Sequence, residues 1–240
     1  MGLLSKLFNR GAPKEKVEPF DSVIGYSDIK EVLSLALRSR DPVSICFVGP
    51  PASAKTLFLL DIYEKHKDQA HFIDAVRASK AGISDYLFAH RPKYLCIDEI
   101  DKLPRKDQAV LLNLMETGIL SVTLAKKTQT TQLRCWVFAT MNEHARMLGP
   151  LKSRFQMFHL PEYTREEFIK IGTELLSRKG IDRDMARTVT TIVIDDLQTR
   201  DIRPVLRLGK LLTAVDNEKI DITQLTRIVK TMIKYGGPNE

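Results

Sequence analysis

The sequence contains no apolar run approaching the ~20 residues of a membrane-spanning helix, and its start does not read as a signal peptide. It has no internal repeat and no low-complexity tract, which sets aside repeat solenoids and biased tails. Cysteine is scarce. Cys46, Cys96 and Cys135 are an odd number, far apart, with no C-x-x-C pair, so neither a disulfide framework nor a cysteine metal site is expected. Each sits in an apolar, strand-like run (SICFVG, YLCIDE, RCWVFAT) and reads as a reduced core residue of a cytoplasmic protein. His71, His90, His144 and His159 show no ligand spacing and are assigned no metal. The single tryptophan, Trp136, lies in a strand-like run and reads as core rather than a base-stacking platform.

What is present suits a globular protein. The 240 residues are 43% hydrophobic and 28% charged, and at roughly 100–200 residues per domain they allow one large domain or a domain with a small satellite. A net charge of +7 and a pI near 9.3 favour an acidic partner such as nucleic acid.

The opening MGLLSKLFNR has Gly2, but Lys6 stands where a myristoylation signal wants Ser or Thr. Leu3, Leu4, Leu7 and Phe8 form either a short apolar face for a partner or membrane surface, or a loosely packed terminus. Residues 11–19 are polar, charged and proline-containing, and read as a linker.

From Phe20 the pattern changes. In DSVIGYSDIKEVLSLALRSR, Asp28 precedes the helical spacing of Ile29, Val32, Leu33, Leu35 and Leu37. Strands are expected at 43–49, 71–75, 94–99, 135–140 and 156–160, with helical stretches such as TLFLLDIYEKHK and QAVLLNLMETG between them. Continuous apolar strands alternating with helices predict a five-stranded parallel α/β sheet covered on both faces. Beyond Pro161 only helices are expected. Thr164 and Glu167 have capping-box spacing at the start of the first, and three more follow (DMARTVTTIVIDDL, RPVLRLGKLLTAV, ITQLTRIVKTMIKY). The expected organisation is an N-terminal segment and linker (1–19), an α/β domain (20–160) and a small all-helical lid (161–240).

GPPASAKTL, from Gly49 to Leu57, follows a strand and opens a helix. It is close to the phosphate loop G-x-x-x-x-G-K-[ST], with Ala54 at the second glycine; taken alone, it is equally a Pro-Pro turn. Alanine directly before the lysine is expected at negative φ, where it is unstrained. As a phosphate loop, its backbone amides would wrap phosphates, Lys55 would reach the terminal ones, and the Thr56 hydroxyl would face Mg²⁺. YLCIDE ends in Asp98 and Glu99 at the rim where parallel sheets bind ligands. Alone, that pair is also compatible with a solvated acidic strand end.

Together these motifs resemble the AAA+ ATPase family, a P-loop NTPase fold, from Phe20 to the C-terminal helices. VFATMN resembles the sensor-1 strand, which makes Asn142 the residue that orients the hydrolytic water. LGPLKSRF resembles the arginine-finger segment and makes Arg154 the finger. TRDIRPVLR resembles the sensor-2 helix start, placing Arg203 near the γ-phosphate. FDSVIGYSDIK resembles the segment whose Val23, Ile24, Gly25 and Tyr26 pass near the adenine. Alanine before the lysine is also similar to minichromosome maintenance ATPases.

The resemblance implies ATP/ADP and Mg²⁺ as cofactors, with Gly49, Pro50, Pro51, Ala52, Ser53, Ala54, Lys55, Thr56 and Leu57 around the nucleotide, Thr56 and Asp98 toward the metal, and Glu99 as the base. It also implies a homo-oligomeric, hexameric ring. METGILSVTLAKKTQTTQLRCWVFAT inserts a strand-turn-strand pattern where some members carry a pre-sensor-1 hairpin. Lys126 and Lys127 at its tip are either DNA-contacting or a solvated basic turn.

AVRASKAGISDY lacks the aromatic-hydrophobic-glycine loop of protein-threading members, and nothing after Gly236 resembles the winged helix of Holliday-junction motors of the RuvB type. The expected function is an ATP-driven motor on DNA, RuvB-like or helicase-like; the alternative is a MoxR-like ATPase that remodels a protein complex.

Overall fold

The sheet is built from short strands that are apolar on both faces. Ile45–Gly49 (β1) is buried at every position, as befits a central parallel strand. The computed structural model describes residues 20, 23–51, 53–124, 127–142, 147–214 and 222–235. The expected terminal segment and linker (1–19), Ala52 and Lys126 lie outside the described residues.

Ser27–Arg38 (α1) precedes β1. Its start differs slightly from expectation: Tyr26 is the cap, in a left-handed conformation, and Asp28 already lies in the first turn, where a carboxylate favours the helix dipole. Lys55–Lys65 (α2), Ala70–Asp74 (β2), Lys80–His90 (α3), Tyr94–Asp98 (β3) and Arg105–Thr117 (α4) follow. Ile119–Leu124 (β4) and Lys127–Gln132 (β5) pair antiparallel as the expected hairpin, with Leu124 opposite Lys127. Trp136–Asn142 (β6), Gly149–Lys152 (α5) and Gln156–His159 (β7) complete the α/β part.

The five-stranded sheet has the order β2-β3-β6-β1-β7, and every pairing is parallel. One face buries Leu95, Ile97, Val137 and Leu111 in a first apolar cluster. The other buries Phe47, Phe58, Phe138 and Trp136 in a second. Phe47 stacks on Phe58 at 4.8 Å, tying β1 to α2. Trp136 is core: its Nε1 donates to Ala36 O at 3.0 Å and to Ser39 Oγ at 2.9 Å, satisfying the indole as burial requires.

Four helices follow: Arg165–Ser177 (α6), Arg183–Asp196 (α7), Ile202–Ala214 (α8) and Ile222–Tyr235 (α9). The capping box forms as its spacing implied, Thr164 Oγ1 accepting from Glu167 N and Glu167 Oε2 from Thr164 N. These helices share a third cluster that includes Phe168, Val189, Val205, Leu208 and Val229. Ile24, Tyr26 and Ala54 pack against it, so the segment before α1 and the loop before α2 meet the C-terminal helices directly. Among the described residues no helix is long and apolar enough to cross a membrane.

Candidate functional site

β1 delivers the chain to the loop at Gly49, level with Asn142 on β6. A Cβ at position 49 would stand 2.3 Å from the Leu160 carbonyl oxygen and 2.9 Å from Ser53 Oγ, so only glycine fits. The loop folds on itself through buried Ser53, whose hydroxyl donates to Pro50 O at 2.8 Å.

Ala54 departs from expectation. It has φ 61° and ψ 5°, in the left-handed region where a Cβ crowds the following carbonyl at about 1–2 kcal/mol. Alanine is therefore strained here rather than free. The chain must swing from loop to helix within this one residue, and the Ala54 methyl packs against two apolar clusters.

Lys55 opens α2 and is largely buried. Its ammonium donates to Gly49 O at 2.8 Å, to Pro50 O at 2.5 Å and to Ser53 Oγ at 3.3 Å. Burial pushes its pKa down, while the negative charges of Asp98, Glu99 and Asp101 oppose the shift.

β3 brings Asp98 to the same place. Thr56 Oγ1 lies 3.0 Å from Asp98 Oδ1 and 3.2 Å from Oδ2, donating to the carboxylate. Thr140, buried on β6, donates through Oγ1 to Asp98 Oδ1 at 2.5 Å, and the same oxygen accepts the Glu99 backbone N–H at 2.8 Å. Glu99 is itself left-handed, with φ 53° and ψ 47°. Strained conformations of this kind persist where surrounding structure over-determines them, and they gather at functional sites.

A cleft of about 430 Å³ gathers these groups. Pro51, Ser53, Ala54, Lys55, Thr56 and Leu57 line one side, and Asp98, Glu99, Thr140 and Asn142 line the sheet rim. Arg203 and Asp201 come from the start of α8, with Ile202, Leu206 and Leu60 as an apolar wall. Asp201 accepts the Arg203 backbone N–H at 2.9 Å and Nε at 2.6 Å, capping α8 and gripping the guanidinium together.

Other expected residues lie outside this lining. Val23 is core, and Lys30 Nζ donates to its carbonyl. Ile24 and Tyr26 pack against the C-terminal helices, and Tyr26 lies against Phe58 and Tyr163. Gly25 has φ 83°, a conformation glycine permits. Arg154 follows α5 and is bound to Glu116 Oε2 at 2.7 Å and to Pro150 O at 2.6 Å. The backbone of Lys127 opens β5 at the hairpin end away from α4, Gly118 and β6.

Sequence reasoning missed Thr140, Asp201 and Glu116. Thr140 carried a signal: it is the polar residue in the apolar run VFATM, two positions before Asn142 and hence on the same side of the strand.

DNA replication licensing factor MCM5 of Oryza sativa subsp. indica is 24% identical over 242 residues, covering 89% of this chain and 31% of that protein. Zygotic DNA replication licensing factor mcm6 of Xenopus tropicalis is 25% identical over 150 residues, 50% of this chain and 18% of that protein. The chain thus spans less than a third of the length of these relatives. Among solved structures, the Thermotoga maritima RuvB Holliday junction branch migration motor superposes with a TM-score of 0.60 at 22% identity, over 88% of this chain and 70% of that one. That likeness shows a common fold. The MCM P-loop domain profile matches residues 20–179, from the segment before α1 through α6, and the chain belongs to this family of P-loop ATPases.

Proposed function

We propose that the cleft binds ATP with Mg²⁺ and hydrolyses it, and that the chain works as a homo-oligomeric ring, hexameric by the resemblance, that drives a DNA transaction. One observation carries the chemistry: Lys55, Thr56, Asp98, Glu99, Asn142 and Arg203, drawn from separate elements, line one cleft. Its volume of about 430 Å³ is in the range of roughly 300–1,000 Å³ typical of small-molecule sites.

The hydroxyl of Thr56 and the carboxylate of Asp98 are hard oxygen donors held side by side, a set that fits Mg²⁺, which usually takes one or two carboxylates and completes its shell with phosphates and water. The ion, when bound, neutralises charge on the terminal phosphates. Lys55 and Arg203 supply positive charge from the loop and the lid. Glu99 accepts the proton of the attacking water, and Asn142 holds that water in line. Gly49 to Leu57, with Ala52 among them, form the phosphate loop. The base lies near Val23, Ile24, Gly25 and Tyr26; Ala54 connects this segment to the cleft, because it lines the cleft and packs with Ile24 and Tyr26 against the lid.

Arg154 is outside the cleft of its own chain, and we assign it to a neighbour's cleft in the ring. The DNA role draws on the net charge of +7 and on the relatives, which are DNA replication licensing factors. Lys126 and Lys127 at the hairpin end are the proposed phosphate contacts.

ATP hydrolysis measured with and without single-stranded, duplex and four-way DNA tests this reading. Stimulation by one of them is expected. Hydrolysis indifferent to all three would shift the substrate to a protein complex, and no hydrolysis by the assembled protein would overturn the enzymatic reading.

A further inference from the structure

The geometry points to Thr140 as a positioning residue that fixes the Asp98 carboxylate and the Glu99 backbone through one hydroxyl. The inference rests on the proposed ATPase reading. A threonine hydroxyl has one hydrogen to donate and lone pairs to accept with. Here the hydrogen goes to Asp98 Oδ1 at 2.5 Å, and a lone pair takes the Glu99 backbone N–H at 2.8 Å. Both capacities are spent on two consecutive residues with different tasks.

The first bond leaves Asp98 with one oxygen, Oδ2, that Thr140 does not touch. Thr56 approaches the same carboxylate at 3.0 and 3.2 Å, but a Thr56 oxygen that turns its lone pair to a cation no longer donates its hydrogen along the same line. Thr140 is then the donor that keeps Asp98 in place. The second bond ends on the amide of a residue held at φ 53°, a conformation glutamate does not choose unaided. β6 makes the support stiff: Thr140 is 1% exposed, sits mid-strand beside β3, and is β-branched, which restricts its χ1.

The test compares Thr140→Val, Thr140→Ala and Thr140→Ser with wild type in three measurements: steady-state ATP hydrolysis at varied ATP and Mg²⁺, Mg²⁺ dependence of fluorescent ATP-analogue binding, and hydrogen exchange at the Glu99 amide. Orienting partners of metal ligands typically cost roughly 10- to 100-fold in metal affinity or activity when removed. A loss of that size in kcat is therefore expected for the Val and Ala variants. Their Mg²⁺ half-saturation should rise, metal-free analogue binding should stay near wild type, and exchange at Glu99 should accelerate. Thr140→Ser, which keeps the hydroxyl, should recover most of each property.

If the Val variant keeps wild-type activity while the Ser variant loses it, the methyl packing matters and the hydroxyl role is wrong. Unchanged Mg²⁺ dependence and Glu99 exchange in both Val and Ala variants overturns it equally. Thr140→Ala carries the comparison should the Val side chain prevent folding. If wild type hydrolyses no ATP, the ATPase reading has failed, while Glu99 exchange still decides whether Thr140 holds that amide.

Discussion

The acidic rim of the cleft and the two arginines assigned to the chemistry are held in different ways. Asp98 and Glu99 are fixed from within: strand β3 is central, and buried Thr140 engages both residues. Arg203 is held by Asp201, and Arg154 by Glu116 and the Pro150 carbonyl, with one partner of each ion pair open to water. Ion pairs open to water on one side contribute little to stability. The Asp98 carboxylate and the Glu99 backbone are therefore fixed against the sheet, whereas the arginines can trade a carboxylate for a phosphate. A site divided in this way can respond to nucleotide through its arginines while its acidic rim stays still.

Substitutions on the two sides should behave differently. Glu99→Gln should lower hydrolysis by roughly 10²- to 10⁴-fold, as loss of a general base does, with ATP-analogue affinity retained. Affinity lost in parallel would mean that Glu99 is structural. Arg203→Ala should cost less: removal of a charge-assisted hydrogen bond worth about 1.5–3 kcal/mol corresponds to roughly 10- to 100-fold in turnover. Its melting temperature should stay at the wild-type value, and a large drop there would erase the contrast between fixed rim and mobile arginines.

Asp201→Ala removes the cap of α8 as well as the grip on Arg203. A stability loss of about 1 kcal/mol is expected, seen in thermal melts as about 2–4 °C, with a smaller effect on turnover than Arg203→Ala. Ala54→Gly should have the smallest effect and the opposite sign. Relief of left-handed strain, about 1–2 kcal/mol, is partly offset by the greater freedom of glycine in the unfolded chain, about 0.4–1 kcal/mol. A rise in melting temperature is expected, and a fall would show that the buried methyl outweighs the strain.

The sequence made the strands legible because buried parallel strands are continuous apolar runs, and Asp98 closes such a run. The four C-terminal helices were legible from helical spacing, and the first of them from the Thr164–Glu167 box. What local pattern does not carry is conformation imposed from elsewhere. Ala54 looks like any helix-opening residue, and its positive φ is set by where Gly49 and α2 must lie. Thr140 was hidden for a related reason: a threonine amid Val137, Phe138 and Ala139 reads as strand propensity until β3 is placed beside it. Glu116 and Asp201 became visible only once the arginines had neighbours.

The most direct test of the account is complementation between Lys55→Ala and Arg154→Ala. Each variant alone should hydrolyse little ATP, the first for want of a phosphate grip and the second for want of a finger, although Arg154→Ala should still bind nucleotide. Mixed subunits create interfaces in which an intact phosphate loop meets an intact Arg154. The account predicts hydrolysis by the mixture well above the sum of the two variants measured separately. Co-assembled mixtures that never exceed that sum would contradict it.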